Sequence, residues 1–249
     1  MASETSKRFK PFYENEAAVY HETRYGGRYG RLFRKLHHEL IEDELTRLPS
    51  KSMVLEVACG TGHVTSLLSN HDLRLFACDL TRPMMEQSRQ RTLESQSPPD
   101  FVETNAKHLP FADNSFDMVI STRFLHLFPP SEQEILLGEM LRVLKPNGKL
   151  VVDFDNWSSR WLFAIPYLLY NIARYQRLAP YSIYNRVTPT ARMLQQLGLN
   201  VLNIYGVGGT HLVLPAYISE NLASRLGRAH RSPPLRTLAE QFMIIGTKR

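Results

Sequence analysis

The chain has 249 residues, 43% of them hydrophobic, 22% charged and 10% aromatic, a mix that fits one large globular domain and excludes disordered and collagen-like classes. Its two cysteines, Cys59 and Cys78, are too few for a disulfide framework and lack metal-ligand spacing, so no metal is expected. A net charge of +6 with a pI near 9.4 admits nucleic acid, an anionic membrane surface or an acidic substrate as partner.

The first residues, MASETSKRFK, have neither an apolar run nor a small-residue cleavage site. The longest apolar stretch, Trp161 to Tyr170, falls short of the ~18 residues a spanning helix needs, so a cytoplasmic protein is expected. Residues 1–27 are polar and aromatic with no clean period. Leu32, Phe33, Leu36, Leu40, Ile41, Leu45 and Leu48 then recur at three- and four-residue spacing and predict an amphipathic helix. After Pro49 come short apolar runs at 53–58, 73–80, 101–104, 117–122 and 149–154, separated by helical patterns, which predicts βαβ units and a parallel sheet. Thr81 with Arg82-Pro83 opens one helix, Ser131 with Glu134 reads as a capping box for another, and Thr188-Pro189 begins a third that stops at Gly198. Runs at 200–206 and 241–246 bring the strand count to seven. The densest basic run, Arg225, Arg228, Arg231 and Arg236, reads as a solvated face.

The stretch Val54 to His63 is an apolar strand entering a small-residue turn and then a helix. Gly60 and Gly62 remove Cβ atoms that would block a ligand, and a helix start offers unpaired N–H groups. Asp79, seventeen residues beyond Gly62 at the end of the next strand, is placed to accept hydrogen bonds from ribose hydroxyls, so a nucleoside cofactor is expected. Thr65 stands where a dinucleotide loop would have its third glycine, which counts against NAD, and no Gly-Lys-Ser/Thr phosphate loop is present.

The set Glu56-Val-Ala-Cys-Gly60-Thr-Gly62, Asp79-Leu80, Asn105-Ala106 with Leu109-Pro110-Phe111, Ser115-Phe116-Asp117 and Leu141 to Gly148 resembles class I S-adenosylmethionine-dependent methyltransferases, and within them the ubiquinone and menaquinone biosynthesis branch. The likeness covers about 50–155. It implies a Rossmann-like α/β fold: a seven-stranded, mostly parallel sheet whose last strand pair is antiparallel, with helices on both faces. The whole chain would be one methyltransferase domain, with an N-terminal lid and helix at 1–48, a cofactor core at 50–155, an aromatic-rich insertion at 155–187 after strand 5, and the rest of the sheet at 188–249. It further implies S-adenosylmethionine as cofactor. Glu56 and the turn at 58–62, with Ala58, Cys59, Gly60 and Gly62, would face its methionine half, Asp79 its ribose, Leu80 and Met84 its adenine faces, Asn105 and Ala106 the adenine edge, and the Ser121 backbone the amino-acid end.

Of 25 aromatic residues, seven lie in 9–33 and nine in 154–184, and both segments are expected over the ligand edge of the sheet. They read as lids that exclude water, with aromatic walls suited to a flat or greasy substrate. Tyr20 matches a lid tyrosine of the branch, and Arg24 is expected to neutralise the cofactor carboxylate. Tyr25, Arg123, Trp157, Trp161, Tyr167, Tyr170 and His211 are the expected substrate-pocket residues, with Arg123 suited to an acidic acceptor. The run around Trp161 to Tyr170 reads alternatively as a peripheral contact with membrane or lipid. His126, after the fourth strand, is the expected general base, with packing as the alternative. Ser121-Thr122-Arg123-Phe124 lacks the Asn/Asp-Pro-Pro-Tyr pattern of base and amide N-methylation. The expected activity is methyl transfer to oxygen or carbon of an apolar or aromatic small molecule: a quinone precursor, a polyketide-like metabolite or a lipid. Two rivals stand beside it: an RNA or tRNA methyltransferase, disfavoured as nucleic acid is suggested only by charge, and a non-catalytic cofactor-binding partner subunit.

Overall fold

The computed structural model describes residues 4–159 and 182–249. Short apolar runs separated by helices build a sheet in the order β3-β2-β1-β4-β5-β8-β7. Its strands are β1 (Ser52–Val57), β2 (Leu73–Asp79), β3 (Asp100–Glu103), β4 (Phe116–Ser121), β5 (Leu144–Asn156), β7 (Leu199–Val207) and β8 (Gln241–Lys248). An eighth strand, β6 (Tyr184–Asn185), pairs with the end of β5 and is too short to leave a period in the sequence. All pairs are parallel except those of β8, which runs antiparallel to both β5 and β7.

The strands are apolar on both faces because helices cover both. Leu55 and Val57, Val119, Leu150 and Val152, and Phe242 and Ile244 join one buried cluster with Leu136, Leu137 and Met140 of α5 (Pro130–Val143). Their strand neighbours Val54, Met118 and Ile120, Val151, and Met243 and Ile245 join the other, with Leu32, Leu36, Leu40 and Ile41 of α2 (Arg28–Leu45). The period-two alternation along each strand is therefore a division between two cores. Asp153 of β5 falls on the α2 side, fully buried, and is satisfied there: the His37 ring meets its Oδ2 at 2.9 Å and the Arg123 N–H donates to its Oδ1 at 2.7 Å.

Three local expectations change. Residues 4–25 are helix, α1 (Glu4–Tyr25), although they carry no clean period. The helix predicted from Leu32 begins at Arg28 and ends at Leu45. The capping box at Ser131 does not form: α5 starts at Pro130 with Pro129 as its N-cap and no side-chain cap bond, because proline's fixed φ already suits the first turn. The remaining helices are α3 (Thr65–Leu68), α4 (Arg82–Thr92), α6 (Val187–Gln196), α7 (Val213–Ile218) and α8 (Glu220–Ala229). No helix among the described residues is long and apolar enough to cross a membrane.

Candidate active site

The C-terminal ends of β1, β2 and β4 open onto a cavity of about 1020 Å³, its solvent mouth included. Ligands of open α/β sheets bind at this edge, outside the carboxyl ends of the strands. The turn after β1 forms part of its wall, and three of its residues take left-handed backbone: Ala58 at φ +60°, Gly60 at +53° and Gly62 at +83°. A Cβ on Gly60 would meet nothing within 4 Å, so the absent side chain exposes bare backbone to the cavity. A Cβ on Gly62 would stand 2.9 Å from the Ser88 Cα, so this glycine serves the packing of α4 against the turn. Ala58 is left-handed despite its Cβ, at a cost of about 1–2 kcal/mol.

Two carboxyl groups stand behind that turn. Asp79 ends β2; its Oδ2 accepts the Gly60 N–H at 2.9 Å, and its Oδ1 accepts the Thr81 N–H at 2.9 Å and the Thr81 hydroxyl. Burial pushes the Asp79 carboxyl above the usual range against the pull of those bonds. Each oxygen of a carboxylate has two lone pairs; Oδ1 uses both and Oδ2 one, so capacity for one ligand hydroxyl remains on Oδ2. Glu56 is buried on β1 with its Oε2 accepting the Thr65 hydroxyl at 2.6 Å. Burial, helped by the Asp79 charge and opposed by that bond, pushes Glu56 up to about 8. Nearby on the cavity wall, the Thr61 Oγ1 is buried with no hydrogen-bond partner.

The remaining wall is largely aromatic. From α1 come Phe9, Tyr13, Tyr20 and Tyr25, and from the segment after β4 come Phe124 and Phe128. Tyr13 meets Tyr20 edge-on at 5.9 Å, and Tyr25 stacks on the His63 ring at 4.3 Å. His63 also stacks on His38 at 4.7 Å, and neither of its ring nitrogens has a hydrogen-bond partner. Burial holds His63 well below the ordinary imidazole value, joined by the charges of His37, His38 and Arg123. Arg123 lines the cavity with φ +54°, its guanidinium 5.5 Å from the Phe33 ring and its Nε buried without a partner.

Of the residues singled out from sequence, the cavity brings together Tyr20, Tyr25, Glu56, Ala58, Cys59, Gly60, Asp79, Leu80, Met84, Asn105, Ala106 and Arg123. Six others lie off its wall. Gly62 packs on Ser88, and the Ser121 hydroxyl donates to the Val57 carbonyl at 2.9 Å, leaving Thr122 to line the cavity in its place. Arg24 stands 5.4 Å over the Tyr20 ring. His126 is buried in a 3-10 turn between Leu125 and Leu127; its Nδ1 has no partner, burial lowers its pKa, and its carbonyl accepts the Ile183 N–H at 2.7 Å. Trp157 lies under the Arg186 guanidinium at 4.2 Å, and the His211 ring meets His230 at 3.0 Å between Nε2 atoms. Trp161, Tyr167 and Tyr170 lie outside the described residues. Sequence reasoning had Thr61 only as part of the 58–62 turn and missed His63, Thr122, Phe124 and Phe128; the signal for His63 was its place directly after that turn.

Residues 55–152 match the family model described as "Methyltransferase domain". A demethylmenaquinone methyltransferase of Renibacterium salmoninarum is 39% identical over 113 residues, which are 45% of this chain and 45% of that one. A tRNA (carboxymethyluridine(34)-5-O)-methyltransferase of Xenopus tropicalis is 34% identical over 113 residues, 45% of this chain and 17% of that one. The match thus spans less than half the length of these relatives. Among solved structures, the magnesium protoporphyrin IX methyltransferase of Synechocystis with bound SAH superposes with a TM-score of 0.69 at 11% identity, covering 99% of this chain and 100% of that one. The fold is that of the S-adenosylmethionine-dependent methyltransferases.

Proposed function

We infer that this methyltransferase-domain chain is an S-adenosylmethionine-dependent enzyme that methylates an oxygen or carbon of an apolar or aromatic small molecule. The observation that carries the reading is a cavity with two unlike parts: bare glycine backbone with Glu56 and Asp79 on one side, and six aromatic rings from α1 and the segment after β4 on the other. The first part fits the cofactor. Gly60 gives close backbone approach, Asp79 takes a ribose hydroxyl, Leu80 and Met84 bracket the adenine, and Thr61 offers an unpaired hydroxyl. The bound cofactor supplies a sulfonium-borne methyl group open to in-line attack. The chain contributes orientation and exclusion of water, through the rings of α1 closing over the sheet edge.

An RNA acceptor, which the tRNA-modifying relative raises, has weaker support in this chain. Arg228 and Arg231, the centre of the basic C-terminal run, are engaged by Glu39 at 2.7 and 3.0 Å, and Arg231 also by Asp43 at 3.5 Å. The Arg236 guanidinium donates to the Ile204 carbonyl. The charges of Arg228 and Arg231 are thus balanced by carboxylates at the surface, which weakens that part of the run as a phosphate-binding face. A purely cofactor-binding partner subunit would have no need of an enclosed aromatic half-cavity.

Turnover of S-adenosylmethionine to S-adenosylhomocysteine, followed against a panel of quinols, phenols, polyketide-like acids and transfer RNA, tests the reading. Turnover with an apolar or phenolic acceptor supports it; turnover with RNA alone overturns it. In the same assay His63, which lines the cavity with both ring nitrogens unpartnered, is the expected base rather than His126, which lies off the cavity wall; burial keeps His63 neutral and free to accept a proton, although it weakens it as a base. His63→Gln is expected to lower kcat by ~10² or more, as loss of general-base catalysis does, while His126→Gln costs less than about threefold.

Glu56 makes cofactor binding pH-dependent. Its raised pKa keeps the proton on the free folded protein from the ordinary value of 4.5 up to about 8. That contribution favours folding at low pH and is lost as pH rises through this window. An ammonium group facing Glu56 draws the proton off, so affinity for S-adenosylhomocysteine is expected to rise between pH 6 and 8, by at most about tenfold per pH unit. Calorimetry at several pH values, with Glu56→Gln losing the slope, checks it.

A further inference from the structure

Outside the cavity, large apolar side chains stand in water at one place far more than elsewhere. Of the twelve exposed large hydrophobics among the described residues, six fall between 213 and 226: Val213, Leu214, Tyr217, Ile218, Leu222 and Leu226. Ile218 is 71% exposed and Leu214 69%. They occupy α7 and α8, joined by Ser219 alone, whose hydroxyl caps α8 by accepting the Leu222 N–H. Leu214 and Ile218 are four residues apart on α7, and Leu222 and Leu226 four apart on α8, so each pair shares a stripe. The opposite side of α8, Ala223, Ser224 and Gly227, is buried, and Gly227 lets the helix approach Leu36 of α2.

Exposed arginines border this apolar surface. The Arg28 guanidinium donates to the Tyr217 carbonyl at 3.0 Å and stands 5.5 Å over its ring, and Arg225 lies between Leu222 and Leu226 with no ion pair among the described residues. The nearest acid on α8, Glu220, is engaged by Lys35 at 3.2 Å. Apolar side chains beside unneutralised arginines, in a chain of net charge +6, complement an anionic lipid surface: the rings and branched side chains enter the acyl boundary and the guanidinium groups meet the headgroups.

We propose that α7 and α8 dock this protein on anionic membranes. The surface is placed to serve the cavity. β7 runs parallel to β1 through the sheet, so the segment leaving Val207 toward α7 starts from the same edge at which the cavity opens. Arg28, which holds Tyr217, begins α2 three residues after the cavity residue Tyr25. Docking would thus set the junction of α1 and α2 near the lipid from which an apolar acceptor would come. That use rests on the acceptor reading above; the docking itself does not.

The test is flotation of the full-length protein with vesicles of phosphatidylcholine alone and of phosphatidylcholine with phosphatidylglycerol at three parts to one. Wild type is expected to float with the anionic vesicles and to be released by high salt. Arg225→Glu should weaken binding by about fivefold or more per charge removed, and Leu214→Ser with Ile218→Ser by about tenfold or more. Titration with S-adenosylhomocysteine checks that each variant keeps its fold, so lost flotation with intact cofactor binding is specific to the surface. No flotation of wild type, or equal flotation of the Leu214→Ser/Ile218→Ser variant, overturns the proposal. So does sedimentation of wild type as a dimer that this variant dissolves, which would assign the surface to a second copy. None of these outcomes depends on methyl transfer, so failure here leaves the proposed activity standing.

Discussion

Asp79→Ala is expected to weaken binding of S-adenosylmethionine and S-adenosylhomocysteine by about 2–3 kcal/mol, or roughly 30- to 150-fold, because a charge-assisted hydrogen bond to the ribose is lost. The structure adds a second reason. Asp79 also accepts the Gly60 N–H at 2.9 Å and the Thr81 N–H at 2.9 Å, so it ties the glycine turn to the end of β2. Removing it unties the turn as well as the ribose. Asp79→Asn keeps the shape and one acceptor oxygen, and should lose less. Calorimetry on both variants separates the two contributions: similar losses for Ala and Asn would mean that the charge matters more than the tie.

Removal of residues 1–27 is expected to leave a cooperatively folded protein with turnover abolished. α1 gives Phe9, Tyr13, Tyr20 and Tyr25 to the cavity wall, so its loss opens the aromatic half of the cavity to water. The sheet and the helices that bury its two faces lie outside the deleted segment, although Phe9 and Tyr25 are themselves buried and some stability goes with them. Circular dichroism melts and the methyl-transfer assay read the two effects separately. Tyr13→Ala with Tyr20→Ala, which keeps the helix, should reproduce most of the loss of turnover. A truncated protein with undiminished turnover would show that α1 is no lid.

What was legible in the sequence follows physical scale. The strands could be read because alternate residues enter two cores, making apolar runs such as Met53 to Leu55 and Leu150 to Val152. The glycine turn and Asp79 could be read because their chemistry is local: a left-handed turn and a strand-end carboxylate are written within a few residues. α1 left no clean period because it does not bury one face in one core; its rings are divided between the cavity and two hydrophobic clusters. β6 is set by tertiary partners, the Gln133 and Asn185 amides pairing at 2.9 and 3.2 Å, and two residues cannot announce that. His126 and His63 show the limit for single residues. Both are buried histidines beside a strand end, and only packing decides that His63 lines the cavity while His126 lies off its wall. The apolar stripes of α7 and α8 were visible as leucines and isoleucine but not as exposed ones.

The turn at 58–62, with Glu56 and Asp79, is the part of the cavity expected to hold S-adenosylmethionine. Isothermal titration of the folded wild-type chain with S-adenosylhomocysteine tests it most directly. The expected result is saturable binding at one site, tighter at pH 8 than at pH 6. A flat titration from a sample that melts cooperatively would contradict it.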